Sequence, residues 1–171
     1  MATCGSATLT GIEVGCKDNM GGIKAVWISP FDGTITIDTT SDKVSAITGG
    51  DFKKYTFRKQ TGGMNSTLTV DDTVGTQYWT TELTLQFSKM ETSKAVEINA
   101  LTWTDTIVIV KDSNNKYWLL GYDNPVSTTA STAQTGTNYG DLNGYTLTLN
   151  DMSKNLPYEL TDEAVTTLGL D

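Results

Sequence analysis

The feature that most constrains the fold is a strict alternation of apolar and polar side chains over residues 76–87. Successive side chains of a β-strand point to opposite faces, so a period of two predicts a strand with one buried and one wet face. The predicted buried face carries Trp79, Thr81, Leu83, Leu85 and Phe87, and the wet face carries Tyr78, Thr80, Glu82, Thr84 and Gln86. This segment predicts a half-buried β-sheet.

Other segments repeat the β signal along the chain. Threonine supplies 31 of the 171 residues, and this β-branched residue favours pleated surfaces. The predicted strands are residues 7–14, 24–29, 34–38, 44–48, 53–60, 66–71, 106–111 and 116–122, with a last strand around Tyr145, Leu147 and Leu149. Residues 61–65 between two of them (Thr-Gly-Gly-Met-Asn) predict a hairpin loop, and residues 112–115 predict another.

Two segments break the β pattern. Ser88 and Glu91 fit an S-x-x-E capping box, and Ala95, Ile98 and Leu101 follow at helical spacing, so we expect one packed helix from about residue 89 to 101. A short helix is expected to start near Thr161.

The segment 123–138 is rich in Ser, Thr, Ala and Gln and predicts a long loop, which in a compact domain is usually functional or disordered. With nine to eleven strands and no linker, the sequence predicts a single, mainly β domain over residues 1–171. The expected architecture is a β-sandwich or partly closed β-barrel with one packed α-helix.

Charge and composition exclude several classes of function. Twelve Lys and Arg against twenty Asp and Glu give a net charge of −8, with an isoelectric point near 4.4. This balance opposes tight nucleic-acid binding and adsorption to anionic membranes. The chain has no histidine, which removes imidazole catalysis and His-ligated zinc. No phosphate-binding or nucleophile-elbow motif occurs, so we expect no enzyme, cofactor or metal site.

The two cysteines, Cys4 and Cys16, flank the first apolar stretch. On one straight strand they would be about 40 Å apart, too far for a disulfide, although a hairpin at Gly11 would change this. With no charged leader or long apolar run after Met1, we expect free thiols in a protein made inside the cell.

Two sets of residues suggest alternative functions. Asp71 and Asp72 are adjacent at a predicted strand end, which favours a solvated turn over an acid/base pair. The aromatic residues Trp79, Tyr117, Trp118 and Tyr122 are more typical of a core than of a sugar-binding platform. A monomeric β-sandwich that binds surface carbohydrate therefore stays the alternative, and a glycoside hydrolase using Asp123 or Glu82 is disfavoured.

The order of segments from about residue 50 to 160 carries a resemblance to a known family. A strand ending in ELTLQF (82–87) runs into a helix with EINAL (97–101). IVIVKD (107–112), YWLLG (117–121), GDLNGYTLTL (140–149) and KNLPYEL (154–160) then follow. This order resembles tail-tube-like structural proteins of bacteriophages, particularly phages of Bacteroides-type hosts.

The resemblance implies a non-enzymatic virion protein, made in the host cytoplasm, that assembles with itself into rings or tubes of the tail. Its implied partners are neighbouring tail, portal or ring proteins and double-stranded DNA passing non-specifically, with no membrane. Candidate lumen acids are Asp71, Asp72 and Glu82. Candidate subunit-contact residues, expected in loops, are Gly62, Gly63, Met64, Asn65, Pro125, Thr128, Thr135 and Asn138.

Overall fold

The computed structural model describes residues 11–31, 36–40 and 42–170. Within these ranges the chain forms eleven strands and two helices. The strands are β1 Ile23–Pro30, β2 Thr36–Thr40, β3 Lys43–Thr48, β4 Lys53–Tyr55, β5 Gly62–Asp71, β6 Thr76–Ser88, β7 Thr106–Asp112, β8 Tyr117–Leu120, β9 Ser127–Gln134, β10 Gly144–Ser153 and β11 Tyr158–Leu160. The helices are α1 Thr92–Trp103 and α2 Asp162–Leu168.

The strands form two sheets, and the protein is mainly β with the character of a β-sandwich, as the sequence predicts. One sheet has seven strands in the order β2-β3-β11-β8-β7-β1-β4, and the other has four in the order β5-β6-β10-β9. Every neighbouring pair in the four-stranded sheet is antiparallel. In the larger sheet only β11 and β3 are parallel among the described pairs.

Two apolar cores cover both faces of the seven-stranded sheet. The first lies between the sheets, where Val108 and Val110 of β7 meet Leu83 and Leu147. The second lies on the opposite face, where Ile107 and Ile109 pack with residues of β3 and α2. Burial on both faces explains why β7 is a continuous apolar run, whereas β6 alternates.

Helix α1 packs onto the first core through Ile98 and Leu101, which confirms one helix packed on the sandwich. Its predicted start is wrong, because the helix begins at Thr92 and its N-cap residue Glu91 makes no side-chain cap hydrogen bond. Ser88 is still part of β6. The Glu91 carboxylate instead pairs with Lys89 at 2.5 Å and Lys94 at 3.2 Å.

Two predicted loops are wrong. Residues 62–65 begin the long strand β5, because their partner is β6 and not the short strand β4, which lies in the other sheet. Residues 127–134 of the expected loop 123–138 form strand β9, paired with β10. Thr, Ser and Ala with no apolar alternation can still form a strand when one neighbour supplies the hydrogen bonds and the other edge faces solvent.

Of the other predicted elements, some are confirmed, one is wrong in part, and some lie outside the described residues. The alternation of β6, the β7–β8 hairpin, the strand around Tyr145, Leu147 and Leu149 (β10) and the C-terminal helix are confirmed. The predicted strand 7–14 is wrong over residues 11–14, which adopt no strand, and its remainder lies outside the described residues, as do Cys4 and residues 34–35 of the strand predicted over 34–38. Cys16 is an exposed free thiol.

Candidate functional site

The four-stranded sheet presents an outer face that turns away from both cores. Strand register places the following residues on it: Asn65, Thr67, Thr69, Asp71, Thr76, Tyr78, Thr80, Glu82, Thr84, Gln86, Thr146, Thr148, Asn150, Met152, Ala130 and Thr132. None of the four strands contains a lysine or arginine, so all twelve basic residues of the chain lie elsewhere. The outer face is therefore a polar, threonine-rich surface whose only charges are carboxylates.

Glu82 lies in the middle of this face. Its register neighbours are Asn65 on β5 and Asn150 on β10, and its side chain is exposed. The expectation that Glu82 points to the wet side of the strand is confirmed.

Asp71 and Asp72 lie at the far end of the β5–β6 hairpin. Asp71 Oδ1 accepts hydrogen bonds from the backbone N–H groups of Thr73 at 2.9 Å and Val74 at 3.4 Å, so this carboxylate caps the turn. Asp72 is exposed within that turn. Because Asp71 pairs with Thr76, six residues before Glu82, the structure separates Asp71 from Glu82 by about 20 Å along the strand. The three acids share one side of the molecule without forming a cluster.

The free edges of this sheet are long and carry little to block pairing. β9 has eight residues (STTASTAQ) without charge or proline, and β5 has ten residues whose only charge is the terminal Asp71. In contrast, edge β4 of the other sheet has three residues, two of them lysines, and edge β2 has five residues with a register shift. Short, charged or bulged edges resist pairing with another chain. Among the strands that the structure describes, only those of the four-stranded sheet therefore have edges open to such pairing.

The predicted subunit-contact residues occupy strands as well as loops. Gly62, Gly63, Met64 and Asn65 open the edge strand β5. At Gly62 a Cβ would lie 2.8 Å from Ile23 Cδ1 and 2.9 Å from Phe57 Cε2, so any other residue here would have to displace these side chains of the first core.

The second group of contact residues lies within β9 and on either side of it. Pro125 is half-buried just before this strand, and Thr128 Oγ1 donates to the Leu101 carbonyl at 3.0 Å. Thr135 and Asn138 are exposed after the strand, and the Asn138 N–H donates to Asp141 Oδ2 at 2.7 Å. This hydrogen bond, with one from Thr137, lowers the pKa of Asp141. Contacts within the chain thus order this segment, which the sequence predicted as a long functional or disordered loop.

The aromatic residues do not form an open sugar platform. Tyr117 is buried in the second core. Trp118 is half-buried, and its Nε1 donates to Asp112 Oδ2 at 3.2 Å. The nearby Asn114 side chain already bonds Asn19 and Met20. The polar groups that a sugar would require beside Trp118 are therefore engaged within the protein.

Asp151 is an acidic residue that the sequence analysis missed. Register places it on the inner face of β10, opposite Thr81, with only 2% of its surface exposed. The pKa of its carboxyl is raised to about 6, chiefly by burial; the Gly121 N–H opposes this rise and the charge of Asp123 contributes to it. The sequence contained a signal for this burial. Asp151 follows Tyr145, Leu147 and Leu149 at every second position, so it points to the same inner face of the strand.

Comparison with known proteins gives no relative: no family model, curated protein or solved structure matches the chain. Neither helix in the described part of the chain has the length and apolar character needed to span a membrane.

Proposed function

We propose that the chain is a non-enzymatic structural subunit that assembles with copies of itself into a ring or tube, as a conduit for double-stranded DNA in a phage tail. The observation that carries the proposal is the four-stranded sheet, whose two long edges pair with no other described strand and whose strands contain no basic residue. The segment order that resembles tail-tube-like proteins adds the virion setting and its partners, the neighbouring tail, portal or ring proteins.

Strand direction supports pairing between copies. Because the sheet has an even number of antiparallel strands, β5 and β9 run in opposite directions. When copies related by rotation stand side by side, β9 of one copy meets β5 of the next in antiparallel orientation. Such a heterologous contact closes into a ring and removes both free edges.

The layer arrangement favours one side of the sheet as the wall of the central channel. The seven-stranded sheet and α2 form the bulkier side of the subunit, and the wider side of a wedge lies on the outside of a ring. The outer face with Glu82 and Asp71 then lines the channel. Since phosphate contacts by Lys and Arg dominate non-specific DNA affinity, a lining without them lets DNA slide.

A charged substitution on the inner side of edge β9 tests the assembly. Ser131 is exposed and lies on the core side of β9, opposite Leu147. In Ser131→Lys, the ammonium reaches solvent around the free edge of a single subunit but becomes buried when another strand pairs there, as inward-pointing charges do on natural edges. Ala46→Lys is the matched control, because Ala46 is exposed on β3 of the other sheet.

Mass photometry and negative-stain electron microscopy over a concentration series give the readout. We expect rings or tubes for the wild-type protein and for Ala46→Lys, and single subunits for Ser131→Lys. Wild-type protein that stays monomeric at every concentration, or Ser131→Lys protein that assembles normally, would contradict edge-to-edge assembly.

A further inference from the structure

The hairpin of β5 and β6 projects beyond the rest of the four-stranded sheet. Strand β10 pairs with β6 only as far as Trp79, the partner of Ser153, whereas β5 and β6 continue to the pair of Asp71 and Thr76. Among the described strands, the last part of this hairpin is therefore paired only with itself. A two-stranded hairpin is marginally stable in water at best, so this projection gains stability when another surface covers it.

The projecting part exposes apolar side chains. Leu68 and Val70 lie on the same face of β5 as Met64, which packs against the first core. They are nevertheless 39% and 51% exposed, and Val74 in the turn is 68% exposed, because the core ends before the hairpin does. An apolar patch with polar residues around it is typical of an interaction surface. We call residues 68–78 the hairpin end; they include Asp71 and Asp72 but no Lys or Arg.

The opposite end of β6 carries positive charge. Its thirteen residues separate the two ends by about 40 Å. There Arg58 Nε donates to Ser88 Oγ at 3.2 Å, and both Arg58 and Lys59 are exposed. None of the ion pairs in the described part of the chain includes Arg58, Lys59 or Asp72. The charges of both ends are thus available to a partner.

Apolar side chains accompany these cations. Met90 is 38% exposed just after β6, and Tyr139 is exposed in the segment that leads to Gly144, the register partner of Ser88. The nearby carboxylate of Glu91 is already paired with two lysines. We call this surface the basic end and define it by four residues: Arg58, Lys59, Met90 and Tyr139.

We propose that the hairpin end of one copy docks onto the basic end of a second copy, so that copies join end to end along the strand direction. Opposite charges meet in this contact, and the apolar side chains on the two surfaces cover each other. The edge pairing of β5 and β9 joins copies side by side and uses different surfaces. The inference rests on the proposed function, because exposed ion pairs are individually weak, and a ring presents many of them at once. Rings with hairpin ends on one rim and basic ends on the other then stack into a tube.

Exchanging the charges of the two ends tests this docking. Asp72→Lys opposes the cations of the basic end, and Lys59→Asp opposes the carboxylates of the hairpin end. The double variant again places opposite charges at positions 72 and 59. Glu163→Lys is the matched control, because it makes the same change of charge on an exposed residue of α2, on the side that the proposed ring turns outward.

Negative-stain electron microscopy of the full-length proteins gives the readout. We expect stacked rings for the wild type and for Glu163→Lys, single rings for Asp72→Lys and for Lys59→Asp, and stacked rings again for the double variant. Wild-type rings that never stack, stacks that persist in either single variant, loss of stacks in Glu163→Lys, or no recovery in the double variant would overturn this docking and leave the ring itself standing. Wild-type protein that stays monomeric would overturn both.

Discussion

Replacing Asp151 by asparagine is expected to stabilise the protein at neutral pH, although it removes a native polar side chain. The carboxyl is 2% exposed and its Oδ1 has no partner, and burial raises its pKa from 3.8 to about 6. A shift of about 2 pKa units corresponds to about 3 kcal/mol of destabilisation when the group is charged. The asparagine amide stays incompletely paired in the same place and costs about 1 kcal/mol, so the expected gain at pH 7.5 is about 2 kcal/mol.

The pH dependence of this gain follows from the direction of the shift. Because the pKa is higher in the folded than in the unfolded protein, the folded state binds the proton more tightly. The penalty is absent below about pH 4, grows as the pH rises from 4 to 6, and is complete above the folded pKa. The difference in unfolding free energy between Asp151→Asn and wild type should therefore rise from about −1 kcal/mol at pH 4 to about +2 kcal/mol at pH 7.5.

Urea unfolding of the two proteins in parallel, at half-unit steps from pH 4 to 7.5, measures this difference. A chelator keeps divalent cations from compensating the charge of Asp151. Subtraction of the two profiles cancels carboxylates common to both, including Glu159, whose pKa is lowered by Lys116 and Lys43. A difference that is constant across the pH range, or a variant that is less stable at every pH, would refute the argument from burial.

Three further substitutions test other parts of the structure. Assembled Glu82→Lys protein should retain linear double-stranded DNA at low salt and release it at high salt, whereas wild-type assemblies retain none in a filter-binding assay. Thr161→Ala should lower the unfolding free energy by about 1 kcal/mol in urea, because Thr161 Oγ1 accepts the Ala164 N–H at the start of α2; an unchanged midpoint would contradict this capping role. Gly121→Ala should cost about 1–3 kcal/mol, since Gly121 has φ +92° and its Cβ would lie 3.3 Å from backbone atoms of β7. Gly63→Ala, with nothing within 4 Å of its Cβ, is the control and should be neutral or mildly stabilising in the same measurement.

The sequence predicted best the elements in which one face is buried. The alternation of β6 and the apolar run of β7 each follow from the side-chain environment, so local pattern and tertiary structure agree. Strand β9 could not be predicted this way, because its eight residues are small and polar on both faces and none is fully buried. Its conformation depends on hydrogen bonds to β10, which a local pattern does not contain.

The candidate site was predictable only where the alternation of apolar and polar residues shows which face of a strand is buried. Glu82 was placed correctly on the wet face by alternation. The Gly62–Gly63 pair was misassigned to a turn, because glycine is typical of turns. In the structure Gly62 instead lies in a strand where Ile23 approaches the backbone closely. For Asp151 the error was different. The strand itself was predicted correctly, but the buried carboxylate at an inward position near its end was not.

The outer face of the four-stranded sheet also determines how this protein is able to change during evolution. Its threonine, asparagine and glutamine side chains contribute no packing to either core, so exchanges among small polar residues there alter stability by about 0.5 kcal/mol or less. If the face lines a channel, selection acts on the sign of the charge and not on residue identity. Homologous chains would then keep apolar residues at alternate, inward-facing positions of these strands and would keep Lys and Arg off the outer face. The identities of the polar residues on that face would be free to change.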